Sequence, residues 1–205
     1  MFSDTICPWC YIGYVKLKET ISCFKNFEFH IVWRPFQLNP NMPSEGIQRE
    51  KYLYAKFGDK ENADSIYKKI EDEGKLANIY FQFNKISNTP NSFLSHKLLA
   101  YAHNKKKQSE VLESLFYQYF IEGIDIGNLK KIIQIAKQTK IYDKNIENYL
   151  ISSIDNENLL NEEDQAKKIG ITGVPCFIFN KKYVVNGVQP KEKFIQIINS
   201  LNKDV

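Results

Sequence analysis

The stretch SDTICPWCYIG, residues 3–13, sets Cys7 and Cys10 three residues apart, with a proline and a tryptophan between them. That spacing brings two sulfurs together across one helical turn. It serves either a reversible disulfide or half of a metal site. Pro8 fits a first helical turn, where its missing N–H is no loss, and it stiffens the link between the thiols. A thiol at a helix start meets unpaired backbone N–H groups and the positive end of the helix dipole, both of which favour thiolate. Cys7 is therefore expected to be the nucleophile and leaving group. Cys10, one turn further in, is expected to be buried and protonated, and to resolve a mixed disulfide by attacking Cys7.

The zinc alternative needs a second pair of ligands. Cys23 and Cys176 stand alone, and His30, His96 and His103 have no knuckle spacing with them. No metal is expected. Four cysteines in 205 residues are too few for a disulfide-stapled scaffold. In a reducing compartment such a pair is more often catalytic or metal-binding than structural. Cys23 lies among helix-spaced apolar neighbours and is expected in the core. Cys176 is read as a small core hydrophobe rather than a third thiol at the site.

With 43% hydrophobic and 14% aromatic residues, the chain has ample material for a core. The net charge of +4 comes from lysines spread among acids, as in KKIEDEGK (68–75) and EEDQAKK (162–168). These read as solvated helix faces, so no nucleic-acid partner is expected. There is no apolar run of membrane-spanning length and no secretory signal pattern, so the expected setting is cytoplasmic, with no membrane partner.

Outward from the cysteines, Tyr11, Val15, Leu17, Ile21 and Phe24 repeat at helical spacing. FEFHIVWRPF (27–36) alternates Phe27, Phe29, Ile31 and Trp33 on one face and predicts a strand. Helices are expected over 48–58, 63–78, 92–106, 110–123, 129–140, 143–153 and 161–170, with Gly58 and Gly123 as terminators and Asn128 as a cap. Residues 175–179 and 183–187 predict a hairpin turned by Asn180, Lys181 and Lys182, and 190–203 a last amphipathic helix. Strand and helix alternate at the ends and helices fill the middle, as in one α/β domain split by a helical insertion.

Five stretches in order resemble the FrnE-like branch of the DsbA family, within the thioredoxin superfamily. They are SDTICPWCYIG (3–13), WRPFQLNPNMPSEG (33–46), TPNSFLSHKLLAYA (89–102), FIEGIDIGN (120–128) and GITGVPCFIFNKKYVVNGVQP (170–190). The resemblance implies an α/β thioredoxin fold with a mixed central sheet, interrupted by a large α-helical insertion. The thioredoxin-like part is placed at 1–40 and 160–205, and the insertion at 41–159. It also implies a cis Val174–Pro175 bond packed against the thiols, which would present the Val174 backbone to a substrate peptide. Only MFSD precedes Thr5, so the first strand is expected to be short.

The activity implied is disulfide exchange with thiol- or disulfide-bearing proteins through Cys7 and Cys10, in the reductase or isomerase direction. The expected enzyme binds no cofactor beyond its own disulfide, takes glutathione as a candidate co-substrate, and is a monomer or homodimer. Asp4 is read chiefly as a helix cap, with a proton relay to Cys10 as the alternative. His96 either faces the cleft or is packed. Trp9 offers an apolar surface to peptides or packs on the insertion. Arg34 meets an acidic substrate group or pairs with a helical glutamate. Glutathione-dependent kappa-class transferases and 2-hydroxychromene-2-carboxylate isomerases look similar in architecture, but generally carry serine where this chain has Cys7, and leave Cys10 without a task. A holdase using the interdomain cleft is the third reading.

Overall fold

A computed structural model gives the protein's structure and describes residues 1–202. Its sheet is mixed and four-stranded. β1 (Phe2–Ser3) lies parallel to β2 (Arg34–Pro35), pairing Phe2 with Arg34 and Ser3 with Pro35. A two-stranded ribbon joins β3 (Ile47–Gln48) to β4 (Asn88–Thr89). β5 (Cys176–Phe179) pairs antiparallel with β1 at a single rung, Phe2 with Cys176, and along its whole length with β6 (Tyr183–Asn186). The order is β2-β1-β5-β6.

Nine helices are found among the described residues. α1 (Pro8–Ile21) starts at the proline, and Cys7 is its N-cap in an extended conformation. The helical middle runs through α2 (Arg49–Phe57), α3 (Lys60–Leu76), α4 (Phe93–Asn104), α5 (Gln108–Phe120), α6 (Leu129–Gln138) and α7 (Ile146–Ile151). α8 (Asn156–Lys168) leads back to the sheet and α9 (Lys191–Asn202) follows it. Lys203, the last residue of the anticipated helix, lies outside the described residues. No described helix is long and apolar enough to cross a membrane.

Alternation along β5 places the sheet between two layers. Phe177 packs with Leu17 of α1 and Phe194 and Ile197 of α9. Cys176 points the other way, against Phe36, Ile171 and Ala166 of α8. The largest apolar cluster ignores the expected boundary. It joins Cys10, Ile12 and Tyr14 of α1 and Trp33 to Leu98, Leu112, Phe116, Phe120 and Ile132 of the helical middle. Tyr11 stacks on Phe116 at 5.0 Å and Tyr14 meets Trp33 edge-on at 5.4 Å.

Local chemistry explains the boundaries. Asn128 Oδ1 accepts from the N–H groups of Lys130 and Lys131, starting α6. The β5–β6 turn is closed by Asn180 and Lys181 at φ +46° and +59°, the left-handed pair that suits the twist of a tight hairpin.

Two expectations are corrected. The strand over 27–36 shrinks to Arg34–Pro35, because β1 is only two residues long and a ladder needs a partner. Trp33 N–H donates to the Gln108 side chain instead. Cys23 is exposed rather than in the core, because α1 stops at Ile21 and the apolar spacing no longer maps onto a helix face.

Candidate active site

The site is assembled where α1 begins. Cys7 N–H donates to Asp4 O at 3.1 Å, and Cys7 O accepts the Cys10 N–H at 3.0 Å and the Tyr11 N–H at 3.3 Å. This turn fixes both cysteines relative to the helix. The Val174–Pro175 bond is cis, and Cys7 Sγ donates to Val174 O at 3.8 Å. Pro8 and Trp9 are half-buried beside the thiols, Trp9 packing against the large core cluster.

Gly13 permits the approach. A β-carbon there would lie 3.0 Å from Phe177 Cζ and 3.2 Å from Pro175 Cγ, so α1 sits on β5 and Pro175 at a distance that a side chain would widen. A glycine in a helix interior costs about 1 kcal/mol relative to alanine. That cost is the signal in the sequence that a close contact is being kept.

Cys10 is fully buried. Burial first, and then the hydrogen bond and charge of Cys7, push its thiol well above the ordinary cysteine range. The Asp4 backbone and the Ser3 hydroxyl act the other way, favouring the thiolate. Ser3 Oγ is buried with no other hydrogen-bond partner, so it is free to stabilise charge on Cys10 when that thiol ionises. Cys176 is also fully buried, and burial pushes its thiol up as well.

Behind this turn lies a buried group of charges. Asp4 Oδ2 accepts from Leu38 N–H at 2.7 Å and Oδ1 from Ile6 N–H at 3.3 Å. Glu163 Oε1 of α8 accepts from the next amide in the same loop, Gln37 N–H, at 3.2 Å. His96 of α4 brings Nε2 to 3.5 Å from Asp4 Oδ1, with both side chains nearly sealed from solvent. Burial raises the Glu163 carboxyl, while the charge of His96 and the Gln37 amide pull it down. Two carboxylates thus grip the consecutive amides of Gln37 and Leu38, next to the cysteine turn, with the His96 ring beside Asp4.

A family profile described as the DsbA-like thioredoxin domain matches residues 1–199. The chain belongs to that family. The Bacillus subtilis protein YwbO, uncharacterised, is 22% identical over 99% of this chain and 96% of its own. Among solved structures, a probable DsbA oxidoreductase from Streptomyces coelicolor superposes with a TM-score of 0.88 at 22% identity, covering 97% of this chain and 87% of that one. The cytosolic disulfide reductase DsbM from Pseudomonas aeruginosa, solved with glutathione, reaches 0.70 at 11% identity over 98% and 97%. At such identities the likeness to solved structures is one of fold.

Within this DsbA-like domain, the residues singled out from sequence fall in two places. Cys7, Cys10, Pro8, Trp9, Val174 and Pro175 meet at the end of α1. Asp4 and His96 meet behind it. Asp4 is not the helix cap: Cys7 holds that position, with no side-chain cap bond, and the Asp4 carboxylate is spent on Ile6 and Leu38. Arg34 pairs with Glu162 of α8, the helical-glutamate alternative. Ser3, Gly13 and Glu163 were not anticipated. Only Gly13 leaves a local trace; Ser3 and Glu163 acquire their roles through contacts distant in sequence. Among the described residues no three or more His, Cys, Asp or Glu side chains are grouped to hold a metal ion.

Proposed function

We propose that the protein is a thiol–disulfide oxidoreductase of the FrnE-like branch that exchanges disulfides with protein substrates through Cys7 and Cys10. The observation that carries this reading is the pairing of Cys7, set against the Val174 carbonyl at a cis proline, with Cys10, sealed behind it and perturbed by it. In the reducing direction, Cys7 thiolate attacks a substrate disulfide. One Cys7–substrate S–S bond forms, the substrate S–S bond breaks, and one substrate thiolate leaves. Cys10 then gives up its proton and attacks Cys7 Sγ. The Cys7–Cys10 bond forms, the mixed disulfide breaks, and the second substrate thiolate leaves. The substrate has gained two electrons, which the cysteine pair has lost; protons from solvent complete its two thiols.

The high proton affinity of Cys10 supports this order, since a thiol protonated at neutral pH does not compete with Cys7 for the first attack. The Val174 carbonyl, next to an imide that offers no N–H, is suited to pair with an extended peptide backbone. A cytoplasmic reductase or isomerase fits a glutathione-rich compartment, with glutathione as the reductant that opens the Cys7–Cys10 bond.

The test is equilibration in graded reduced and oxidised glutathione, with free thiols trapped and located by mass. A single two-electron transition confined to Cys7 and Cys10 is expected. Failure of that disulfide to form at any poise would overturn the proposal. Glutathione-conjugating activity surviving Cys10→Ser would favour the transferase reading in its place.

A further inference from the structure

A cleft of about 230 Å³ lies between α4 and α8, with the chain at 32–35 along its base. α4 lines it with His96, Leu99 and His103, and α8 with Asp155 at its cap, Leu159 and Glu162, each set at helical spacing. Trp33, Leu99 and Leu159 make part of the lining apolar. The cleft has room for about eight waters at ~30 Å³ each, or one organic molecule of similar size. Neither cysteine of the Cys7–Cys10 turn lines it.

The polar groups of the lining are unevenly satisfied. His96 is only 3% exposed, yet its ring forms no hydrogen bond among the described residues; Nε2 stops 3.5 Å from Asp4 Oδ1. An unmade hydrogen bond on a buried group carries a cost that a polar guest removes. Two turns along α4, Gln108 settles the state of His103. Gln108 Nε2 donates to Trp33 O and Leu99 O while Oε1 accepts from Trp33 N–H, so its amide has one orientation. His103 Nδ1, 3.3 Å from that Oε1, therefore carries the proton, and Nε2 of the neutral ring is an acceptor. Arg34 and Glu162 neutralise each other at 2.5 Å. Asp155 is left over. Its carboxylate accepts from the Tyr149 hydroxyl at 2.8 Å and Asn158 Nδ2 at 3.0 Å, but among the described residues it forms no ion pair and caps no helix amide. Lys97 feels its charge, but spends its own ammonium on Ser152 O and the Tyr149 ring.

Charge decides the class of guest. The lining holds one carboxylate without a counter-ion and no lysine or arginine without one, so an anion is repelled and a neutral molecule leaves Asp155 as it is. We propose that the cleft between α4 and α8 binds a small organic ammonium compound, an amine on a compact apolar body, with Asp155 as its counter-ion. The ammonium donates charge-assisted hydrogen bonds to Asp155, with His103 Nε2 a further acceptor. The body covers Leu99 and Leu159, and His96 offers its unused ring to a second polar atom. The site goes beyond the thiol reaction and does not depend on it.

The probes are benzylamine and n-pentylamine, each compared with its alcohol, benzyl alcohol and pentan-1-ol, at neutral pH. Amide chemical shifts are followed residue by residue in the full chain with its cysteines reduced. At least one amine is expected to shift Leu99, Ala100 and Leu159 saturably, and to bind about tenfold or more tightly than its alcohol. Asp155→Asn keeps an acceptor for Tyr149 and should abolish that preference. No saturable shift at these residues with either amine, up to its solubility limit, would overturn the proposal. Equal binding of amine and alcohol would overturn it too, as would a preference that survives in Asp155→Asn. Should that variant fail to fold, the comparison of amine with alcohol in the parent decides alone. Because the readout is occupancy and not exchange, none of these failures touches the reading of Cys7 and Cys10.

Discussion

At the scale of single residues, the two cysteines differ in ways that can be read separately. Cys10 is fully buried and its proton is held tightly, so its part in exchange begins only once Cys7 has been capped by substrate. With Cys10→Ser, incubation with oxidised glutathione should leave one glutathione bound at Cys7, visible by mass and stable for much longer than in the parent. With Cys7→Ser, no adduct should accumulate at neutral pH, and rapid adduct formation on Cys10 would show that it is not sealed. The same proton makes stability depend on pH. A thiol whose folded pKa exceeds its unfolded value of roughly 8.5 stabilises the fold fully below that pH and progressively less above it. Tyr101, pushed up to about 12 by burial and its bond to Asp143, adds the same sign of effect above roughly pH 10. Tm should therefore fall from about pH 8.5 upward. The fall just above that pH should be shallower in Cys10→Ala, and an unchanged slope would remove Cys10 as its source. Asp4 shows why a residue can be misread from sequence. Its place before a helix suggests a cap, whereas its partner is the amide of Leu38, 34 residues away, brought there by a parallel strand pair.

At the scale of elements, α1 was legible because its determinants are local: proline in the first turn and apolar residues at helical spacing. The hairpin was legible too, from Asn180 and Lys181. The segment 27–36 was not, since alternation records which side chains could share a face while a strand exists only if another backbone lies beside it. β3 and β4, two residues each, were invisible for the same reason. The seating of α1 on β5 leaves a single local trace, the glycine at position 13 inside the helix. Gly13→Val should test it. The new side chain must displace Phe177 or the Pro175 ring, and overpacking of this kind costs about 1–3 kcal/mol. Because the displaced ring adjoins Val174, the rate of disulfide exchange should fall along with stability. Gly13→Val with lowered denaturation midpoint but parental exchange rates would show that α1 carries the thiols independently of its seat.

At the scale of the whole molecule, the helical middle and the sheet share one core. Tyr11 and Tyr14, from the helix that carries the cysteines, are packed against Phe116 and Trp33, and the apolar cluster runs unbroken from Cys10 to α6 and α7. A domain inserted into another and joined only by linkers would melt on its own. Here, removing atoms from the helical middle removes support from under the active site. Phe116→Ala deletes a fully buried ring, at a cost of about 3–5 kcal/mol. The expected outcome is one transition, shifted as a whole. Helix content by far-ultraviolet dichroism, the fluorescence of Trp9 and Trp33, and the trapping rate of Cys10 should change at the same denaturant concentration in parent and variant alike. Should helix content fall first while Cys10 stays protected, the two parts would be separable and the shared core would be mere contact. Coincident curves would mean that the helices are the scaffold that keeps Cys10 dry, and that mutations far from the cysteines change thiol exchange through the stability of that one core.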